Sequence, residues 1–92
     1  MIKHGLLSIS NTEATALDIP NHIPTSFTLV IQNINTTGYI YLGGPSVTTS
    51  NYGFRISPNQ AFTIELPLSG HMYAIASDAG MSVAAMEIYR AI

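Results

Sequence analysis

Apolar and polar residues alternate with a period of two along much of this chain. Phe27, Leu29 and Ile31 fall on one side of a pleated run, and Thr28, Val30 and Gln32 on the other. Phe62, Ile64 and Leu66 alternate in the same way with Thr63 and Glu65. That period belongs to half-buried strands. Leu6, Leu7 and Ile9 predict a short first strand that stops near Asn11. Thr15, Leu17 and Ile19, alternating with Ala14, Ala16 and Asp18, predict a second. Tyr39 to Leu42 predicts another, Val47-Thr48-Thr49 a very short one, and Phe54 with Ile56 the start of the next. Met72 to Ala76 is apolar throughout and predicts a more fully buried strand. The segment Met81 to Ile92 admits two readings. Val83, Met86 and Arg90 fit one helical stripe, whereas Ala84, Met86 and Ile88 fit one strand face. The strand is preferred because Asp78-Ala79-Gly80 before it reads as a hairpin turn and the rest of the chain is β.

Turn chemistry separates these runs. Asn35-Thr36-Thr37-Gly38 reads as a hairpin loop, with Gly38 free to take positive φ. Gly43-Gly44-Pro45 bends the chain, and Ser50-Asn51-Tyr52-Gly53 turns it. Ser57-Pro58-Asn59-Gln60 reads as a type I turn with proline second. Pro20 and Pro24 bracket an irregular crossing, because proline removes a ladder donor. Ser69-Gly70 turns the chain after Pro67. The expectation is one all-β domain over residues 1–92, a compact antiparallel β-sandwich of about eight short strands, jelly-roll or Greek-key like.

Composition adds a constraint on function. Charged residues make up 9% of the chain and hydrophobic residues 47%, against about 25% charged in ordinary domains. The polar surface is therefore built mainly from Thr, Ser, Asn and Gln, which repel little and are cheaper to desolvate than ions. This favours a homo-oligomer or a protein held on an assembly over a freely dispersed monomer. The plainer alternative is a soluble β-domain with few charges. Only Lys3, Arg55 and Arg90 are basic, and they are scattered, which argues against nucleic acid. There is no cysteine, so disulfides and thiol chemistry are excluded. Ile2-Lys3-His4-Gly5 predicts no signal peptide, and the apolar runs are too short for a helix across a bilayer. The sequon Asn35-Thr36-Thr37 is read as an accident of a polar turn.

Candidate chemistry is sparse. His4, His22 and His71 lack metal-ligand spacing and are expected in partly exposed loops. Asp18 or Asp78 with a histidine and a serine would make a triad, but no serine sits in a G-x-S-x-G elbow. Glu13, Glu65 and Glu87 are expected to be ordinary solvated carboxylates. Gly43-Gly44-Pro45-Ser46 lacks the lysine and helix of a phosphate loop. No catalytic, metal-binding or cofactor-binding residue is assigned. The tyrosines divide: Tyr73 and Tyr89 are expected in the core or at its rim, and Tyr39, Tyr41 and Tyr52 on a contact surface.

The runs Tyr39-Ile40-Tyr41-Leu42-Gly43-Gly44, Val47-Thr48-Thr49-Ser50, Gly53-Phe54, Ser57-Pro58-Asn59, Phe62 to Leu66 and Met72 to Ala76 together resemble small β-sandwich structural proteins of tailed bacteriophages. The resemblance covers roughly the last three-fifths of the chain. Two departures, Asn59 for the usual glycine and Met72 for leucine, keep a turn and an apolar strand residue. The resemblance implies a virion structural protein, foremost a capsid decoration or cement protein. Such a protein is made in the host cytoplasm and sits on the capsid surface against the major capsid protein, as a trimer or dimer. A neck, tail or fibre accessory protein is the alternative. The expected interface combines Tyr39, Tyr41, Val47, Thr48, Thr49 and Tyr52. A reading of another class is a carbohydrate-binding module that stacks sugars on Tyr39, Tyr41 or Tyr52.

Overall fold

A computed structural model describes residues 2–18, 26–67 and 71–89. Those residues form eight strands and no helix: β1 (Ile2–Ile9), β2 (Thr15–Ala16), β3 (Phe27–Asn33), β4 (Ile40–Gly43), β5 (Phe54–Ile56), β6 (Ala61–Leu66), β7 (Tyr73–Ala76) and β8 (Met81–Tyr89). They make two four-stranded sheets, ordered β1-β8-β3-β6 and β2-β7-β4-β5. Every pairing is antiparallel.

The pairing is nested. β1 pairs with β8, β2 with β7, β3 with β6 and β4 with β5. This is the pattern of one long ribbon doubled back at the β4–β5 loop. Rolling the ribbon sends its rungs alternately to the two sheets and brings β8 against β3 and β7 against β4. The sandwich is therefore an eight-stranded jelly roll.

Rolling changes what several turns do. Asn35–Gly38 and Asp78–Gly80 were expected to close hairpins, but each carries the chain from one sheet to the other. Turn residues reverse the chain without specifying which sheet it re-enters. The two crossings lie side by side: the Ser77 amide donates to the Tyr39 carbonyl (2.9 Å), and the Tyr39 amide donates to Ser77 Oγ (2.9 Å). Ser57–Gln60 is closed by the Gln60 amide on the Ser57 carbonyl at 3.0 Å. Asn59 has φ of 66°, so this is a type II turn in place of the expected type I. Replacing Asn59 with alanine is expected to lower stability by about 1 kcal/mol, since alanine tolerates the left-handed region poorly. Urea titration measures it, and an unchanged midpoint would contradict it.

Other expectations hold in coarser form. Val47-Thr48-Thr49 contributes a single bridge, Thr48 with Asn51. The first strand is longer than predicted, because His4 and Ile2 extend it with the same alternation. The last segment is a strand over Met81–Tyr89. Ile19, Pro20, His22, Pro24, Ser69, Gly70 and Arg90 lie outside the described residues.

The core lies between the inner faces. β3 sends in Phe27, Leu29 and Ile31, and β8 sends in Val83 and Ala85. From the other sheet come Ile40, Leu42, Ile56, Ala74 and Ala76. Each large side chain buried there stabilises the fold by roughly 1.5–3 kcal/mol. Two polar residues, Asn33 and Glu87, are also fully buried. Asn33 Nδ2 donates to the carbonyls of Gly38 (3.3 Å) and Ile56 (3.0 Å), while Oδ1 accepts from the Asn35 amide (3.1 Å) and Asn35 Nδ2 (2.7 Å). Asn35 in turn bonds both backbone groups of Ser82 at the start of β8. One side chain thus joins the β3–β4 crossing to β5 and, through Asn35, to β8.

Candidate functional site

Ile40 and Leu42 enter the core, so the pleat turns Tyr41 outward between them. The register puts Arg55 on one side of Tyr41 and Ile75 on the other. Tyr39, two residues earlier, has the same parity. Its ring carries the Arg55 guanidinium at 4.5 Å from the centroid, a contact worth about 0.5–1 kcal/mol at an exposed site. Tyr41 lies 6.5 Å from Tyr39 and 4.6 Å from Tyr52, ring centroid to centroid. The three rings form a row across β4 and the end of the β4–β5 loop. Tyr39 and Tyr52 are 38% and 43% exposed.

The β4–β5 loop continues this surface. The Thr48 amide donates to the Asn51 carbonyl at 2.8 Å, and the Ser50 amide donates to Thr48 Oγ1 at 3.3 Å. These bonds fix a narrow tip that exposes Thr48 and Thr49. A recess of about 290 Å³ opens beside Tyr52, bounded by Gly43, Gly44, Ser46, Asn51 and Gly53.

Five of the six residues expected at an interface are exposed or half-buried: Tyr39, Tyr41 and Tyr52 run along β4 to the end of its loop, and Thr48 and Thr49 lie at the loop tip. Val47, the sixth, is buried instead of exposed. It is 5% exposed, because its amide bonds the Gly44 carbonyl at 3.0 Å and the loop folds its side chain over Gly43. Tyr89 is buried against Phe27 (5.5 Å between centroids) and Tyr73 is half-buried, in line with their expected places.

Elsewhere the candidate chemistry resolves into structure. Glu87, expected to be solvated, is fully buried and accepts a hydrogen bond from the Tyr89 hydroxyl. It shares strand parity with Val83, Ala85 and Tyr89, all of which face inward. His71 Nδ1 lies 3.2 Å from the Asp18 carboxylate, in an exposed pair of the kind that contributes about 1 kcal/mol or less. His4 sits on β1 rather than in a loop and faces outward. Among the described residues no three His, Cys, Asp or Glu side chains group as metal ligands.

Sequence reasoning missed one surface, the outer face of the β1-β8-β3-β6 sheet. Its signal was present in β8, where Ala84, Met86 and Ile88 are apolar although Val83 and Ala85 on the opposite parity already fill the core. A strand apolar on both faces of a two-layer fold has one face left to cover. The sequence matches no protein-family model and no curated protein.

Proposed function

We propose that this chain is a virion structural protein, foremost a capsid decoration or cement protein that binds the outer head shell. The observation that carries the reading is the row Tyr39, Tyr41 and Tyr52 with the exposed tip Thr48-Thr49, on the outside of a jelly-roll sheet. Tyrosines supply large contact area at low entropic cost, and the threonines around them are easily desolvated. Among the described residues Arg55 lies beside this row, and it is itself engaged with Tyr39. Docking of this kind is mechanical. Each copy buries modest area, and symmetric repetition over a shell multiplies the effect. Jelly rolls serve in viral capsids and also in lectins, and fold alone does not choose between them.

Particles lacking the protein are expected to lose resistance to heat and osmotic shock, and the purified protein is expected to restore it. Equal resistance with and without it would remove the cement role. Tyr52→Ala and Thr49→Arg are each expected to weaken binding to purified shells by roughly 10–30-fold, as loss of an anchor does. A copy number that scales with shell area supports the head; a handful of copies supports a neck, tail or fibre location.

A second reading rests on the recess beside Tyr52. An exposed aromatic ring next to Asn51, Ser46 and glycine backbone suits a neutral sugar. A glycan array with no binders, or wild-type adhesion by Tyr52→Ala, excludes a carbohydrate-binding module.

A further inference from the structure

The outer face of the β1-β8-β3-β6 sheet is laid out in rows by its register. Ile2 stands beside Ile88, His4 beside Met86, and Leu6 beside Ala84. On the other side of β8, Met86 stands beside Val30 and Ile88 beside Thr28. Ile2, Leu6, Val30, Ala84, Met86 and Ile88 are therefore contiguous. Ile2 is 60% and Leu6 73% exposed, and a shallow groove of about 270 Å³ runs between β1 and β3 above Ala84. A contiguous apolar face that the two-layer fold leaves uncovered is a place for another surface to pack.

We infer that this face packs on the same face of a second copy of the chain, sheet on sheet, about a two-fold axis parallel to the strands. Three features point to that occupant. First, shape. Such an axis exchanges the sheet edges, so β1 lies over the other copy's β6 and β8 over its β3. Leu6, Ala84, Gln32 and Ala61 share one row. The exchange sets the projecting Leu6 over the small Ala61 of the partner subunit, and Gln32 over the small Ala84 of the partner subunit. The large-on-small match arises twice from a single sequence, as an isologous interface requires.

Second, charge. Among the described residues the ionisable side chains of this face are His4 on the β1 edge and Glu65 on the β6 edge. Edge exchange brings each to within one row of its opposite in the partner, and no like charges meet. Third, area. Four strands at ~4.8 Å and seven residues at ~3.3 Å span a flat footprint of roughly 440 Å². Counted on both copies that is about 880 Å², at the low end of specific interfaces and in keeping with a dimer that dissociates on dilution. The inference goes beyond the proposed function and is independent of the virion role.

Sedimentation equilibrium of the full chain is expected to show a dimer that dissociates on dilution. Leu6→Glu, at a position too exposed to disturb folding, is expected to weaken dimerisation by roughly 100-fold, because it buries an unpaired carboxylate. Glu13→Gln, on the exposed β1–β2 connection, is expected to leave it unchanged. A second variant reads the geometry. The natural chain has no cysteine, and Leu6 and Ala61 lie three strand spacings apart, roughly 14 Å. That is too far for a disulfide within one chain. Facing sheets pack about 10 Å apart, which is also beyond a direct disulfide, so a short bifunctional thiol cross-linker is expected to join Leu6→Cys/Ala61→Cys into a covalently linked dimer. A monomer at every concentration, a dimer indifferent to Leu6→Glu, or a cyclic trimer without the Leu6–Ala61 link overturns the inference. Co-sedimentation with shells separates the two proposals. A monomeric protein that binds shells loses this interface and keeps the virion role, and a dimer that ignores shells does the reverse.

Discussion

Replacing Asn33 with leucine is expected to lower the thermal unfolding midpoint by about 12–24 °C. Leucine shares the branched outline of asparagine but carries bulkier methyl groups, so crowding adds to the loss of hydrogen bonds. It leaves the Gly38 and Ile56 carbonyls without their donor and removes the acceptor for both nitrogens of Asn35. Each buried polar group left unpaired costs about 1–3 kcal/mol. Asn35 keeps its bonds to Ser82, and some of the freed groups reach water, so the sum is about 3 kcal/mol. In a domain of this size each kcal/mol corresponds to roughly 4–8 °C. Asn33→Asp is expected to be worse. It keeps the acceptor but turns an oxygen, not an N–H, toward two carbonyls. Calorimetry on both variants checks the order, and a leucine variant within a few degrees of the parent would show that the network does not hold the corner.

The second large effect is expected at Gly38, with Gly80 as its internal control. Both have positive φ, 88° and 75°. Alanine at either position incurs the left-handed penalty of about 1–2 kcal/mol. The two differ in space. A Cβ at Gly38 would meet Asp78 Oδ2 at 2.8 Å, Ser77 Oγ at 2.9 Å and Met81 Cε at 3.0 Å, whereas one at Gly80 meets nothing within 4 Å. Ser77 cannot retreat freely, because its Oγ accepts the Tyr39 amide and donates to Asp78. Gly80→Ala is therefore expected to cost about 1–2 kcal/mol and Gly38→Ala about 2–4 kcal/mol, with crowding added to backbone strain. Equal destabilisation by the two would mean that the crossings give way at no cost.

Much of this fold is legible because the alternation is local. Phe27 to Gln32 and Phe62 to Leu66 announce their inner and outer faces without help from the rest of the chain. What is not local is harder to read. The residues at Asn35–Gly38 and Asp78–Gly80 signal a reversal, yet nothing in them says that the following strand joins the opposite sheet. Glu87 illustrates a limit of a different kind. A carboxylate is expected in water, and only its parity with Val83 and Ala85 hints otherwise; that hint is blurred by the apolar residues on the other parity. The outward place of Tyr41 was legible because it lies between two core residues. The burial of Val47 was not, since a loop that tucks its own side chain under leaves no periodic trace.

The nested pairing has a consequence for how this chain comes into being. β8 sits between β1 and β3, and β7 between β2 and β4. The first four strands therefore have no partners among themselves: β4 and β3 gain one edge partner as β5 and β6 arrive, while β1 and β2 wait unpaired for β8 and β7. Neither sheet can close on the ribosome until the final third of the chain has emerged. Such long-range closure is intrinsically slow, and the waiting strands are those whose apolar faces invite a neighbour. A cell that synthesises many copies at once holds many such half-rolled ribbons together. Their partition between rolling up and joining one another is decided by the speed with which the C-terminal arm arrives.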